Sequence, residues 1–305
     1  MSAPQVLSRP NAQSPELRAA LFAHPAGHSL SPVLHGAALE AVGWAGSYRA
    51  EDVLPAELAG RIQALRAQRS APYISGANLS LPHKVAAIPL LDGLTPAAEA
   101  IGAVNTLFWE GERLLGDNTD APGLRAALQE AGYTPDAARP ALLLGAGGAA
   151  RAALWVLRGW GVPALLLNRT PARAEALAAE WGRDGWAVHS AAAHPPDWSQ
   201  VGLILNASSA GLNHPEETPL PLSAAEWRRL PADTLVYDMV YRPEWTRLRR
   251  DAQAAGLRSA GGLSMLAHQA ALAFTRWTGE MVDAEVLIAA ARRALTAEAA
   301  PERAE

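Results

Sequence analysis

The middle of the chain alternates short, wholly apolar runs with longer stretches in which apolar residues recur every three or four positions. ALLLGAGGAARAALWVLRGWG (141–161) opens as a buried strand, passes through a glycine-rich turn and continues as a helix that stops near Gly159 and Gly161. ALLLNRT (164–170) predicts the next strand. PARAEALAAEWG (171–182) predicts the next helix, with Thr170 as its N-cap and Pro171 in the first helical position. VGLILNAS (201–208) and TLVYDMVY (234–241) read as further strands, and PEWTRLRRDAQAAG (243–256) as a helix closed by Gly256. Strands alternating with helices imply βαβ units on a parallel sheet.

The first third is patterned differently. AALFAHPAG (19–27) begins with a strand, and HSLSPVLHGAALEAVG (28–43) predicts a helix starting at Ser31-Pro32, with serine at the N-cap and proline at N1. In NLSLPHK (78–84) polar residues are interleaved with apolar ones, and Pro82 opens a helix over PHKVAAIPLLDG (82–93). AVNTLFWEGERLLGDNTD (103–120) predicts a hairpin turning at Gly111-Glu112, which sets Asn105 roughly opposite Asn118 and close to Asp120. APGLRAALQEAG (121–132) continues as a helix, for which Asp120 could be a plain N-cap.

Composition changes this picture little. The 305 residues suffice for one large domain or two ordinary ones, half of them are hydrophobic, and 18% are charged. The formal net charge of -4 argues against a general nucleic-acid footprint. The absence of cysteine excludes disulfides and thiolate chemistry. No apolar run approaches the roughly 20 residues of a membrane helix. The N-terminal stretch lacks the apolar core of a signal peptide, so a cytoplasmic protein is expected. Residues 1–18 read as a disordered arm and 296–305 as a disordered tail.

Candidate chemistry begins at the glycine turn. Gly145, Ala146, Gly147, Gly148, Ala149 and Ala150 fit G-x-G-x-x-G/A between a strand and a helix. The first glycine permits the turn, the second admits a pyrophosphate, and helix N–H groups face the phosphates. A helix–sheet contact of small residues without a ligand is the plainer reading. The next strand then discriminates between dinucleotides. Where NAD binding calls for a carboxylate, this chain has Asn168, Arg169 and Thr170, with Arg173 one turn on. Arginines there suit a 2′-phosphate, which favours NADP, although both could be solvated surface cations.

Three further groups are candidates. Ser29 and Ser31, before a helix, could seat a carboxylate, although capping alone explains Ser31. Lys84 falls in the first helical turn, the wrong end for a cation that serves only stability, and so a position suited to proton exchange; a solvent-facing lysine is the commoner case. Gln269 places an amide on a helix face with Met265, Leu266 and Ala273, where a backbone-satisfied buried amide is equally reasonable. His24, His28 and His35 do not have metal-ligand spacing, because Pro25 and Gly27 interrupt the helix that i, i+4 ligation needs, so no metal is expected.

These segments together resemble the shikimate dehydrogenase family over roughly residues 19 to 295. The matching motifs are HSLSP with His35, GANLSLPHK, GAVNTL, GDNTD, GAGGAARA, NRTPAR, YDMVYRP and GGLSMLAHQAALAF, in that order. The resemblance implies an α/β fold of two domains. Residues 19–119 and 262–295 would form a substrate-binding domain completed by C-terminal helices, and residues 120–261 an inserted Rossmann-type NADP domain. It implies NADPH-dependent reversible reduction of 3-dehydroshikimate to shikimate, in aromatic amino acid biosynthesis. Lys84 and Asp120 would be the catalytic pair. Ser29 and Ser31 would hold the substrate carboxylate, and Asn78, Ser80, Asn105, Tyr241 and Gln269 its oxygen functions. Gly145 to Ala149, Asn168, Arg169, Thr170, Arg173, Met239 and Gly262 would line NADP. A monomer or homodimer, without nucleic-acid or membrane partners, is expected. Ser80 departs from the usual threonine, Gly36 from Asn or Gln, and Ala121-Pro122 from glycine, which suggests a stiffer interdomain linker. Alternatives are a quinate or aminoshikimate dehydrogenase of the same superfamily and a non-catalytic NADP-binding regulatory module.

Overall fold

In the first strand, β1 (Glu16–Ala23), alternate side chains feed two different cores. Leu17, Ala19 and Leu21 pack on one side of a sheet, while Ala20 and Phe22 pack on the other. A strand buried on both faces needs helices on both, and the chain supplies them. The computed structural model describes residues 16–212 and 214–299. Most of the expected N-terminal arm and the tail from residue 300 lie outside the described residues. Glu16–Arg18, expected in the arm, instead open β1, and residues 296–299 complete the last helix.

The first sheet contains β1, β2 (Gly46–Asp52), β3 (Tyr73–Leu79), β4 (Gly93–Leu94), β5 (Thr106–Glu110) and β6 (Arg113–Asp117), in the order β2-β1-β3-β5-β6-β4. β1 runs parallel to β2 and β3, and β5 turns antiparallel to β3. The β5–β6 hairpin turns at Gly111-Glu112 as expected, with Glu110 opposite Arg113 and Thr106 opposite Asp117. Its helices are α1 (Ser31–Val42), α2 (Leu58–Ala67), α3 (His83–Ala86) and α4 (Pro96–Ile101), and α5 (Asp120–Glu130) leaves it.

The second sheet contains β7 (Ala141–Leu144), β8 (Ala164–Leu167), β9 (Val188–Ser190), β10 (Leu203–Asn206), β11 (Leu235–Asp238) and β12 (Arg258–Gly261), in the order β12-β11-β10-β7-β8-β9. All its pairings are parallel. Strand order reverses between β7 and β10, the switch point at which doubly wound sheets take their ligands. α6 (Gly148–Gly159) and α7 (Pro171–Trp181) cover one face, and α8 (Ala224–Trp227) and α9 (Arg247–Ala254) the other. The run ALLL of β7 divides accordingly: Ala141 and Leu143 join the α6 side, Leu142 and Leu144 the α9 side. α10 (Leu263–Thr278) and α11 (Ala284–Ala299) then return to α1 and the first sheet, where Ala270, Phe274, Leu287 and Ile288 enter its core.

Several boundaries differ from expectation, each for a local reason. α1 is preceded by Leu30 in the cap position, without a side-chain cap, so Ser31 is the first helical residue and not the N-cap. The helix expected over 82–93 ends at Ala86 and passes into a 3-10 turn over Ile88–Leu90, because Pro89 lacks an N–H and restricts Ile88. Pro82 stands at its cap, one place before the first helical residue. The helix expected from 243 starts at Arg247, where the Thr246 hydroxyl accepts from the Arg249 amide. Asp120 opens α5 and does not cap it; the Asn118 side chain accepts from the Ala121 amide instead. Ala121 and Pro122 therefore lie in the first turn of a helix.

Candidate active site

Three chain segments meet where the two sheets face one another. β3 ends at Leu79 and releases the Ser80–Pro82 loop, which delivers Lys84 on the short α3. The β5–β6 hairpin delivers Asn105 at one end and Thr119-Asp120 at the other, since a two-residue loop holds those ends together. α10 brings Gln269 from far along the chain. Lys84 Nζ donates to Asp120 Oδ2 at 2.6 Å, with the lysine side chain 16% and the aspartate side chain 6% exposed. So well shielded an ion pair is held by geometry as much as by charge.

Asn105 supplies that geometry. Its Nδ2 shares two hydrogens among Asp120 Oδ1 (3.0 Å), Thr119 Oγ1 (2.9 Å) and Gln269 Oε1 (3.2 Å), while its Oδ1 accepts from the Thr119 amide (2.7 Å). Gln269 Nε2 donates to its own helix at the Leu266 carbonyl (2.7 Å), so one of its amide hydrogens serves the backbone. Asn78 donates to the Asn105 carbonyl and to Thr106 Oγ1, both at 3.0 Å, and accepts from the Tyr48 hydroxyl at 2.8 Å. Both of its amide hydrogens are thus engaged inside the protein. Ser80 is half-buried in its loop, its amide donating to the Phe22 carbonyl and its carbonyl accepting from His83.

Ser29 Oγ donates to Ser31 Oγ (3.1 Å) and accepts from the Ser31 amide (3.2 Å). Neither serine holds the N-cap position of α1, which Leu30 occupies. Tyr241 faces this pair: burial pushes its phenol above the ordinary range, opposed by the Leu30 backbone and the Ser29 hydroxyl.

The glycine turn closes the other side. Gly145 has φ +114°, and a β-carbon there would lie 3.0 Å from the Ala207 carbonyl group, so the conformation and the space both demand glycine. Ala146 and Ala149 flank Gly147, where a β-carbon would meet nothing within 4 Å, leaving the turn open for an approaching group. At Gly148 a β-carbon would lie 2.8 Å from Lys84 Cβ. The dinucleotide turn and the stem of Lys84 are therefore in direct contact.

At the end of β8, Asn168 Nδ2 donates to the Thr170 carbonyl (2.9 Å). Thr170 takes the N-cap position of α7, yet its side chain makes no cap bond. Arg169 and Arg173 are exposed and form no ion pair among the described residues. Met239 follows β11, and Gly262 packs so closely on it that a β-carbon would lie 2.0 Å from the Met239 carbonyl oxygen. A turn that only glycine can make, an open face at Gly147 and two free guanidinium groups one strand away suit a dinucleotide bearing a 2′-phosphate. Among the described residues no group of three or more His, Cys, Asp or Glu could hold a metal ion.

Tyr48, Thr106 and Thr119 belong to this network and were not singled out by the sequence. Tyr48 sits in β2, whose mixed pattern gives no signal; Thr106 and Thr119 lie inside motifs already noted, beside the asparagine and aspartate that drew attention. A groove of about 1160 Å³ opens beside Thr119, lined also by Ile101, Asn118, Trp155, Arg125 and Leu272 among others. It includes neither Lys84 nor the glycine turn, so volume is a poor guide here, and the convergence of polar side chains marks the site.

Known proteins resemble the chain along most of its length. The model for the shikimate dehydrogenase substrate binding domain matches residues 21–107, and that for the shikimate 5'-dehydrogenase C-terminal domain matches residues 262–292. An NADP(+) shikimate dehydrogenase of Thermus thermophilus is 45% identical over 279 residues, covering 92% of this chain and 99% of its own. That of Moorella thermoacetica is 41% identical, covering 91% and 93%. A crystal structure of shikimate 5-dehydrogenase from another strain of Thermus thermophilus, in complex with NADP(H) and shikimate, superposes with a TM-score of 0.79 at 44% identity, covering 91% of this chain and 99% of its own.

Proposed function

The chain belongs to the shikimate dehydrogenase family, and from that premise we propose that it interconverts 3-dehydroshikimate and shikimate with NADP(H) in aromatic amino acid biosynthesis. The observation that carries this reading is the Lys84–Asp120 pair lying directly against the dinucleotide turn at Gly148. The proposed domains are residues 19–119 with 262–295 for substrate and 120–261 for NADP. No helix among the described residues is long and apolar enough to cross a membrane. A cytoplasmic monomer or homodimer accords with a small-molecule biosynthetic role.

When bound, NADPH supplies the hydride that reduces the 3-oxo group. Gly145, Ala146, Gly147, Gly148 and Ala149 would receive its pyrophosphate. Asn168, Arg169, Thr170 and Arg173 would receive its adenosine ribose and 2′-phosphate, and Met239 and Gly262 its nicotinamide end. As negative charge develops on the substrate oxygen, the Lys84 ammonium stabilises it and releases a proton from Nζ. Asp120 Oδ2 holds Nζ in place and Asp120 Oδ1 is held by Asn105, so little reorganisation accompanies the transfer. Ser29 and Ser31 would donate to the carboxylate. Ser80, Asn105, Tyr241 and Gln269 would meet the hydroxyl groups, and Asn78 could add only the remaining lone pair of its oxygen. In the oxidising direction Lys84, as the free amine, accepts the hydroxyl proton.

Absorbance at 340 nm tests the assignment. Purified protein with shikimate and NADP⁺ should generate NADPH. No increase would refute the activity, and a higher kcat/KM with quinate or aminoshikimate would transfer the assignment to those substrates.

A further inference from the structure

Asn105 supports the Asp120 carboxylate only if it presents its nitrogen, and the direction in which a buried amide points has to be enforced. Two backbone groups enforce it here. The Thr119 amide donates to Asn105 Oδ1, so Nδ2 faces Asp120. Asn78 Nδ2 donates to the Asn105 carbonyl, so Asn78 Oδ1 faces the opposite way, toward Tyr48. That oxygen requires a donor, and the Tyr48 hydroxyl reaches it at 2.8 Å. Thr106 completes the line: its Oγ1 accepts from Asn78 Nδ2 (3.0 Å) and donates to Asn105 Oδ1 (3.1 Å). Donors therefore run one way, from Tyr48 through Asn78, Thr106 and Asn105 to Asp120, and Lys84 meets the carboxylate from the other side.

All five members of the line are buried. An acceptor that loses its donor in such a place bears its desolvation uncompensated, so the surrounding groups shift to find another. Burial also keeps the Tyr48 phenol protonated, well above the ordinary range, so it remains a donor throughout the working pH range.

We infer that Tyr48 is a positioning residue for the reaction, its hydroxyl anchoring the line of donors that holds Asn105 and Asp120 where Lys84 needs them. The inference rests on the shikimate dehydrogenase reading. It goes beyond that reading because Tyr48 lies outside every motif that carries the resemblance.

Tyr48→Phe removes the donor and keeps the ring, including its stack on His35 at 4.1 Å. Thr106→Val cuts the same line midway at nearly constant size. Each should lower kcat for shikimate oxidation about tenfold or more, as slight misplacement of reacting groups does. Each should also shift a limb of the kcat–pH profile and leave the Kd for NADP⁺ unchanged. Because both variants cut one line, the double variant should be no slower than the poorer single variant. Additive losses would overturn the inference, as would wild-type kcat and pH profile in Tyr48→Phe. A rise in KM for shikimate alone would place Tyr48 with the Ser29–Ser31 pair and overturn it too. An inactive wild-type protein would sink both readings; an active wild type with an equally active Tyr48→Phe would sink only this one.

Discussion

Deleting the ammonium of Lys84 removes the charge that meets the developing oxyanion and the partner that Asp120 holds at 2.6 Å. Lys84→Ala should therefore lower kcat by at least ~10²-fold, a typical acid–base contribution, with NADPH affinity nearly unchanged. Turnover close to wild type, measured at 340 nm, would remove Lys84 from the reaction. Arg169 is exposed and forms no ion pair among the described residues, so its side chain is available to a phosphate. Arg169→Ala should weaken NADPH far more than NADH in parallel titrations; equal losses would refute a 2′-phosphate contact. The lysine was legible in the sequence through its odd setting, yet the setting differs from the one read. A four-residue α3 has little dipole to oppose a cation. The constraints on Lys84 come from Asp120 and Gly148, which lie far along the chain.

Elements were legible where punctuation was strong. The β5–β6 hairpin turns at the expected pair because Gly111 adopts φ +58° and a two-residue loop sets the register. α7 starts at Pro171 as read, because the ring presets the first helical φ. β2, β9 and β12 escaped notice, β9 and β12 because they span only three and four residues and β2 because it buries little besides Tyr48. α1 starts without a side-chain cap, with Leu30 in the cap position, and α3 stops early because Pro89 interrupts it. The contact between α6 and α3 adds a prediction at this scale. Gly148→Ala should cost about 1–3 kcal/mol of stability, the usual range for overpacking, since the new methyl group meets Lys84 Cβ beside the main chain. An unchanged Tm of the ligand-free protein would show that α3 and α6 part freely.

Across the whole molecule, folding buries His35 against Tyr48, Phe274 and Trp277, joining α1 and β2 to α10. Neither ring nitrogen has a hydrogen-bond partner among the described residues. Burial lowers the imidazole from 6.5 to about 3. The native state keeps His35 neutral throughout that interval, while the unfolded chain takes up the proton below its ordinary value. Stability contributed above that value is consequently lost as pH falls, by up to about 1.4 kcal/mol per pH unit. Urea midpoints between pH 7 and 5 should fall less steeply in His35→Phe than in the wild type. Parallel curves would show that other groups govern the acid limb.

The alternation of strands and helices, the glycine turn and the order of the motifs are readable along the chain alone, because periodicity, proline, glycine and turn residues act over a few positions. The sequence also narrowed the chemistry, since Lys84, Asp120 and the arginines after β8 are unusual in their local settings. Which groups meet depends on the packed fold. It joined Lys84 to Asp120, closed Asn105 onto Gln269 across 164 positions of chain, and laid the lysine stem on Gly148. It also released Ser31 from capping and drew Tyr48 into the site. The reason is physical: a hydrogen bond needs its partners within about 3 Å, and separation along a chain says nothing of distance until both sheets and the helices between them have packed.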